Sequence, residues 1–181
     1  MRRLTVLLLA LPLLGCQPSG VTVIPDADLP PDVFGSPIPS QPGAVPERGT
    51  IYLLKDGRLE PHVVTLPRVA TMPEALVSAL VAIEPPGELK TAVPLNTQLI
   101  DVGVTSGTAV VDLTGEFERS APGRVLALRV AQVVYTLTEA PGVSDVQLAI
   151  EGSAAAVVTG SEQLVERAVN RNDYLAFAPP G

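Results

Sequence analysis

The longest periodic segment of the chain is RVLALRVAQVVYTLTE, residues 124–139. Apolar side chains recur at intervals of three and four residues, which is the spacing of one face of an α-helix. The apolar stripe consists of Leu126, Val130, Val133, Val134 and Leu137. The polar side chains on the other side are Arg129, Gln132, Thr136 and Glu139. The pattern predicts an amphipathic helix that packs on a sheet and is terminated by Pro141-Gly142.

Strand signals flank this helix on both sides. Short stretches rich in β-branched residues and bounded by turn residues predict five strands. They are residues 50–54, 59–66, 99–104, 108–113 and 143–150. Asp56-Gly57 and Thr105-Ser106-Gly107 are turn sequences, so the first four strands should form two hairpins. Residues 154–158 are a sixth candidate strand, and residues 162–169 are ambiguous between a short helix and irregular chain.

A shorter helix is predicted between the two hairpins. Thr71 and Glu74 have the spacing of a capping box, and the helix should stop before residues 85–87, Pro-Pro-Gly. Its apolar face consists of Leu76, Leu80 and Ile83. The order ββ-α-ββ-α-β(β) predicts an α+β fold. We expect a two-layer sandwich in which a mixed or antiparallel sheet of about 4–6 strands packs against two helices, over residues 49–179.

The first residues have the features of a lipoprotein signal peptide. Two arginines precede an apolar run over residues 4–14, which is too short to span a membrane. The run ends in Leu13-Leu14-Gly15-Cys16, which resembles the bacterial lipobox, where Cys16 is lipidated after cleavage. The alternative is an ordinary secretory signal with an incidental cysteine. We expect a signal peptide over residues 1–15 and a lipid-anchored protein on the extracytoplasmic side of the cell membrane.

A proline-rich segment follows the predicted lipidation site. Eight prolines lie within residues 17–48. Because proline cannot donate a backbone hydrogen bond, such a stretch favours extended chain without regular secondary structure. The sequence therefore predicts a flexible tether over residues 16–48. Two interpretations are open, a spacer that lifts the domain away from the bilayer and a linker without a selected length.

Composition excludes several classes of function. The 181 residues carry 12 Lys and Arg against 19 Asp and Glu, a net charge of -7, which disfavours binding to a phosphate backbone. Aromatic residues make up 3% and Trp is absent, so stacking platforms for nucleic acids are scarce. One Cys and one His cannot form a disulfide scaffold or a Cys/His zinc cluster. We expect no cofactor, no metal and no nucleic-acid partner.

The polar side chains do not form a recognisable catalytic set. Asp112, Glu116 and Glu118 are the densest group of carboxylates, and paired carboxylates can hydrolyse glycosides or bind metals. Asp112 is expected to face solvent or to cap the turn at residues 114–115. His62 lies in a predicted strand, and no acid or nucleophile is signalled beside it. The sequence therefore predicts no catalytic residue.

Four further residues are candidates for a structural or partner-facing role. Gln132 and Tyr135 are three positions apart, share a side of the long helix, and are expected to hydrogen-bond a sheet edge or the last loop. Arg171 and Tyr174 are expected to fasten the C-terminal segment to the sheet. Together with Asp112, these four residues complete the set of candidates within the domain.

Several segments resemble the GerMN domain family of bacterial envelope lipoproteins. The most specific are Val111-Asp112-Leu113 and Gln132-Val133-Val134-Tyr135-Thr136-Leu137. The others are residues 51–53, 56–59, 73–76, 89–94, 109–113 with Phe117, 141–143, 150–152 and 171–174. The resemblance covers nearly all of residues 49–176. It implies a cell-envelope role in building or docking multiprotein assemblies, in sporulation, spore germination or cell-wall processes, and it implies no enzymatic activity.

Three classes of function follow from these observations. The leading one is a non-catalytic interaction module on a lipid tether, whose partner is another envelope protein or a second copy of the chain. We expect it to bind through a polar face and an edge strand, since strand addition relies on main-chain hydrogen bonds and needs no aromatic anchor. The alternatives are an envelope enzyme and a small-ligand-binding lipoprotein, and either would need a deep polar pocket.

Overall fold

The computed structural model describes residues 47–180. The predicted signal peptide, Cys16 and all but the last two residues of the predicted tether lie outside the described residues. Within residues 47–180, no helix combines the length and the apolar character needed to cross a membrane.

The described chain begins with a two-stranded antiparallel hairpin. Strand β1, Arg48–Lys55, pairs with strand β2, Arg58–Thr65. Asp56 (φ +51°) and Gly57 (φ +77°) both adopt the left-handed conformation of a tight hairpin turn, which Asn, Asp and Gly tolerate best. The turn predicted from Asp56-Gly57 is confirmed.

Helix α1, Met72–Ala82, follows the hairpin. The Thr71 hydroxyl accepts a hydrogen bond from the Glu74 N–H (3.3 Å), as predicted for an N-cap. Glu74 Oε2 accepts from the N–H of Ala70 (3.2 Å), one residue before the position that a capping box requires. The side chains that α1 buries are Ala75, Leu76, Val77 and Leu80. The helix ends before Ile83, which the periodicity had placed inside it.

A mixed four-stranded sheet forms the second part of the fold. Its strands are β3, Leu99–Thr105; β4, Thr108–Leu113; β5, Asp145–Ile150; and β6, Ser153–Ala154, in the order β3-β4-β5-β6. Strands β4 and β5 are parallel, because the chain crosses over through a helix between them. The predicted α+β class with a mixed sheet is confirmed.

The segment after β5 is divided into strands differently from the sequence prediction. The candidate strand at residues 154–158 is split between β6 and a new strand β7, Val157–Val158. Strand β8, Leu164–Val165, pairs with β7 and lies in the segment that was ambiguous. The described chain therefore has three separate sheets instead of one. Which strand each of these two-residue strands pairs with is not indicated by a local sequence pattern.

Helix α2, Gly123–Leu137, lies at the centre of the domain and contacts α1, β1, β5, β7 and the C-terminal segment. The predicted helix is confirmed, but the expectation of a polar side distinct from the core is wrong. Residues 129–137 are all buried, including Arg129, Gln132 and Thr136. Strand β1 and the loop at residues 88–97 cover that side of α2.

Two of these buried polar side chains bind the outer edge of strand β1. The Tyr52 N–H donates to Thr136 Oγ1 (3.1 Å), and Gln132 Nε2 donates to the Tyr52 carbonyl (2.9 Å). Gln132 Oε1 also accepts from the N–H of Ala92 (2.6 Å). Helix α2 thus takes the place of a neighbouring strand at Tyr52, and both backbone groups of that residue are satisfied.

Arg129 holds the loops on the same side of α2. Its Nε donates to the carbonyl of Ala92 (2.9 Å), and its Nη1 donates to the carbonyls of Phe117 (2.6 Å) and Arg119 (3.1 Å). Burial lowers the pKa of the guanidinium below its usual value, although Arg stays protonated at neutral pH. Three carbonyl oxygens therefore replace the water that this buried cation loses.

The C-terminal segment closes over the other end of the domain. Val169 pairs with Val146 of β5, and Asn170 caps a kinked 3₁₀ segment, Arg171–Phe177. Asp173 accepts two hydrogen bonds from Arg167 (2.6 and 3.0 Å) and one from the Asn170 N–H (2.9 Å). These donors, Arg167 first, hold the pKa of the Asp173 carboxyl below its ordinary value.

Removing the acceptor at Thr136 should destabilise the domain. Thr136→Val preserves the shape of the side chain but leaves the buried Tyr52 N–H without a partner, so we expect a loss of about 1–3 kcal/mol in the free energy of unfolding. Urea denaturation of the purified protein measures it. The control is Thr65→Val at the exposed end of β2, which should change stability by less than about 0.5 kcal/mol. Equal losses in the two variants would contradict the role of Thr136.

Asp173 should contribute a pH-dependent part of the stability. Since its pKa is lower in the folded state, its contribution is complete above the unfolded value of about 4 and is lost as the pH falls through the folded pKa. We expect Asp173→Asn to lower stability at pH 7 by about 1 kcal/mol or less, because Arg167 is largely exposed. The deficit should shrink below about pH 4, whereas the control Glu166→Gln should show none. A deficit independent of pH would refute this assignment.

Candidate functional site

Tyr135 and Arg171 meet at the C-terminal end of α2, together with two residues that the sequence analysis did not select, Tyr52 and Glu139. We call these four residues the Arg171 cluster. The rings of Tyr52 and Tyr135 meet edge to face at 5.2 Å, and the Arg171 guanidinium lies 5.4 Å and 4.9 Å from their centroids. The stacking of a guanidinium on aromatic rings is favourable, so the cluster holds the C-terminal segment against α2 and β1.

Hydrogen bonds fix the position of Arg171. Its Nη2 donates to Glu139 Oε1 (2.6 Å) and to the Tyr135 carbonyl (3.0 Å), and its Nε donates to Thr138 Oγ1 (2.7 Å). The Tyr52 hydroxyl donates to the same Glu139 oxygen (2.9 Å). A cation at the last turn of a helix also interacts favourably with the helix dipole. Arg171 therefore contacts the end of α2, whereas the sequence analysis expected it to fasten the C-terminal segment to the sheet.

The two phenols of the cluster stay protonated at neutral pH. Burial, and then the hydrogen bond to Glu139, raise the pKa of Tyr52 above its ordinary value. Burial also raises the pKa of Tyr135, and the nearby charge of Arg171 opposes part of that change. The cluster therefore offers neutral donors and a neutralised cation. This chemistry suits packing and recognition better than proton transfer near pH 7.

Tyr174 and Gln132 occupy interior positions. The side chain of Tyr174 is 0% exposed, its hydroxyl has no hydrogen-bond partner among the described residues, and burial raises its pKa. Gln132 is also 0% exposed, and its side-chain amide hydrogen-bonds the backbone of β1 and of the loop at residues 88–97. These two candidates hold structural positions in the described domain.

Asp112 lies in strand β4 of the mixed sheet and is not part of the Arg171 cluster. Its Oδ2 accepts from the Gly152 N–H (2.9 Å), so it caps the turn after β5 instead of the turn at residues 114–115. Glu116 pairs with Arg119 (2.8 Å). Among residues 47–180, no group of three or more His, Cys, Asp and Glu is arranged to hold a metal ion. Asp112 and Glu116, which the sequence analysis grouped, are thus engaged in separate contacts.

One face of the mixed sheet is exposed along β3 and at Val110 of β4, and it is partly buried toward β5. Ala109, Val111 and Leu113 of β4 are 0% exposed, so the alternate side chains of β4 point to the opposite face. The register across the strands then identifies what we call the open face, which comprises Asp101, Gly103, Val110, Asp112 and Gln147. Ala149 lies on the same side of β5 but is buried (8% exposed). Val110 is 45% exposed, and Asp101 and Gly103 are exposed as well. Sequence alternation in β4 signalled this face, but the bulge between Leu99 and Asp101 obscured it in β3.

The outer edges of β2 and β3 carry features that limit strand addition. Pro61 of β2 lies opposite Tyr52, whose backbone groups point toward α2, so the nitrogen of Pro61, which lacks a hydrogen, points to the outer edge. In β3, the Asp101 carboxylate accepts from the Val102 N–H (2.8 Å) next to the bulge. Prolines, bulges and charged side chains are common protections of edge strands. The open face is therefore the better candidate for an interaction surface.

Comparisons with known proteins agree with this architecture. The structure is similar to the tandem GerMN domains of the sporulation protein GerM from Bacillus subtilis, with a TM-score of 0.60 and 21% identity over 70% of this chain and 47% of that chain. It is similar to the first GerMN domain of the same protein, with a TM-score of 0.59 and 22% identity over 70% and 98%. The chain thus matches about half of the tandem structure. At these identities the likeness concerns the fold.

A structure titled as a putative lipoprotein from Clostridium perfringens is also similar, with a TM-score of 0.50 and 14% identity over 72% of this chain and 91% of that chain. No curated protein matches the sequence. The model of the Germane family, described as sporulation and spore germination, matches residues 50–156. Because that match spans more than half of the chain, the protein belongs to the Germane family and contains a GerMN domain.

Proposed function

We propose that the protein is a membrane-anchored lipoprotein of the cell envelope whose single GerMN domain is a non-catalytic module for docking and assembly. The process it serves would be sporulation or another process of the cell wall. The family relation to sporulation and germination supports the setting, and the family is not a known class of enzyme. The observation that carries the proposal is the exposed open face of the mixed sheet.

The use of the polar side chains supports a non-catalytic role. Enzymes keep titratable groups free in a cleft, where their pKa values suit proton transfer or nucleophilic attack. In this domain Arg129 and Arg171 donate to carbonyl groups, hydroxyl groups or carboxylates of the same chain, and Gln132 completes the edge of β1. Glu116 and Asp173 are paired with neighbouring arginines. These contacts stabilise the fold and leave the open face for recognition.

The N-terminal sequence supports the proposed location. Cys16 ends the apolar run at a lipobox-like sequence, and a thioether-linked lipid would hold the protein on the extracytoplasmic side of the membrane. Stable anchoring generally needs two acyl chains or more, which a modified cysteine of this type carries. The segment 17–48 would then supply reach from the bilayer to a partner.

The charge of the domain suggests the chemistry of the partner. Residues 49–181 contain 15 Asp and Glu against 9 Lys and Arg. Such a surface favours a neutral or basic protein surface, on another envelope protein or on a second copy of the chain. Binding should weaken as salt screens these charges.

Replacement of the cysteine tests the anchor. We expect Cys16→Ser to remove lipidation, so that the variant no longer incorporates labelled fatty acid and leaves the membrane fraction. The measurement is metabolic labelling of cells that express the full chain, followed by membrane fractionation. A control serine in the tether, Ser36→Ala, should label like the original protein. Incorporation of fatty acid into Cys16→Ser would refute lipid attachment at Cys16.

Crosslinking of the anchored protein in living cells tests the docking role. We expect one envelope protein, or a second copy of the chain, to be recovered reproducibly with the wild-type protein. Deleting residues 20–39 should reduce that yield at least severalfold in cells, because the shortened tether reduces the effective concentration at the partner. Replacement of the same residues by a Gly-Ser linker of equal length is the control. Absence of any reproducible partner would refute the docking role, and an unchanged yield after deletion would refute the spacer role of the tether.

A further inference from the structure

An apolar groove lies between the end of β2 and the C-terminal end of α1. Its volume is about 470 Å³, and none of the described residues along it belongs to the Arg171 cluster or to the open face. The apolar side chains that line it are Val64, Leu66, Pro67, Ala79, Ala82 and Ile83. Ala79 and Ile83 pack against the hydrophobic core, whereas Ala82 is exposed. The groove therefore presents a supported apolar surface that a ligand can reach.

The chemistry of this groove favours an uncharged, apolar occupant. Among the described residues along it, Glu84 is the one that carries a charge. Since most of the wall offers no hydrogen-bond partner, a charged side chain would lose its hydration there. A segment in the polyproline II conformation suits such a groove, because it is already extended and needs no hydrogen bonds from a neighbouring strand.

The chain enters the described structure beside this groove. The Glu47 carbonyl accepts a hydrogen bond from the N–H of Leu66 (2.8 Å), and Leu66 is one of the groove residues. Gly49 leaves no room for a Cβ, which would lie 2.8 Å from a methyl carbon of Leu66 and 2.8 Å from one of Leu76. This end of β1 is therefore in direct contact with Leu66 and α1. Because consecutive Cα atoms are about 3.8 Å apart, the Cα of Val45 lies within about 8 Å of that of Glu47.

The sequence just before Glu47 has the composition that the groove favours. Residues 34–46 contain no charged side chain, and Pro39, Pro42 and Val45 recur at every third position. A polyproline II helix has three residues per turn, so these three side chains would form one apolar ridge along it. Ala44 would lie off that ridge.

We propose that residues 39–45 dock in the groove of their own chain, with the ridge of Pro39, Pro42 and Val45 against Leu66 and the end of α1. The prolines restrict the segment before it docks, which lowers the entropic cost of binding. The short connection to Glu47 also gives the segment a high effective concentration at the groove. The spacer would then end at residue 38, and it would leave the domain beside α1. This inference goes beyond the docking role and does not depend on it, since it concerns contacts within one chain.

Thiol labelling of the full chain in a native cell lysate tests this assignment. Ala82→Cys places a thiol on the wall of the groove, and mass spectrometry of the tryptic peptide 69–90 gives its rate of modification by a charged maleimide. We expect Val45→Glu to raise this rate severalfold, because a carboxylate on the ridge displaces the segment from the apolar wall. The matched control is Ala44→Glu, one position off the ridge, which should leave the rate unchanged.

A second thiol separates local displacement from a change in the whole domain. Asp56→Cys lies in the exposed β1–β2 turn, and its rate should be the same with and without Val45→Glu. An unchanged rate at position 82 in Val45→Glu would overturn the proposal. Equal increases in Val45→Glu and Ala44→Glu, or at positions 82 and 56, would overturn it as well.

Co-expression identifies the chain that supplies the segment. The variant with Ala82→Cys and Val45→Glu is produced together with an excess of the chain that retains Val45 and Ala82. We expect the thiol to stay reactive, because the segment of each chain occupies its own groove. Recovery of protection would show that a second copy supplies the segment, and it would refute docking within one chain. None of these measurements involves a partner protein or the lipid, so the proposed function and this inference can fail separately.

Discussion

Two side chains of helix α2 complete the hydrogen bonding of strand β1, and the rest of the domain is arranged around this contact. A strand buried at its edge must satisfy its N–H and C=O groups, normally through another strand. Here Thr136 accepts a hydrogen bond from the Tyr52 N–H, and Gln132 donates one to the Tyr52 carbonyl. A second interaction continues the same edge, since Leu54 exchanges two hydrogen bonds with Lys90 (2.8 and 2.9 Å). The hairpin can therefore remain two-stranded without leaving this edge unsatisfied.

This arrangement explains the position of the remaining elements. Helix α2 packs against β1 on one side and against the mixed sheet on another, so most of its surface is buried. Its buried polar side chains therefore hydrogen-bond other segments of the domain. The loop at residues 88–97 lies over Gln132 and Arg129, which bind its backbone at Ala92. At the end of α2, the guanidinium of Arg171 packs on the rings of Tyr52 and Tyr135. A buried polar network of this kind stabilises one arrangement, because any other would leave several groups unpaired.

Three of the arginines form their contacts within the domain. Arg129, Arg167 and Arg171 are each bonded to carbonyl groups or carboxylates of their own chain. The open face, in contrast, holds carboxylates without a cation from its own strands.

Local signals in the sequence determined the elements of the fold. The Asp56-Gly57 turn, the Thr71 N-cap and the period of α2 each depend on backbone preferences within a few residues, so they could be predicted before any pairing was known. The α+β class followed from the order of these elements. The sequence indicated Arg171 as a candidate contact of the C-terminal segment, but its position against the end of α2 and two tyrosine rings could not be predicted.

Only the tertiary structure decided burial and register. Polarity suggested that Gln132 and Thr136 lie apart from the core, yet β1, some 80 positions earlier, supplies the backbone groups that satisfy them. The division of residues 154–158 between two ladders, and the opposition of Asp101 to Asp112 across a bulge, likewise depend on which distant strands pair. A turn or cap is set by dihedral preferences of neighbouring residues. A shared face or a buried hydrogen bond is set by contacts between segments far apart in the chain, which no local pattern encodes.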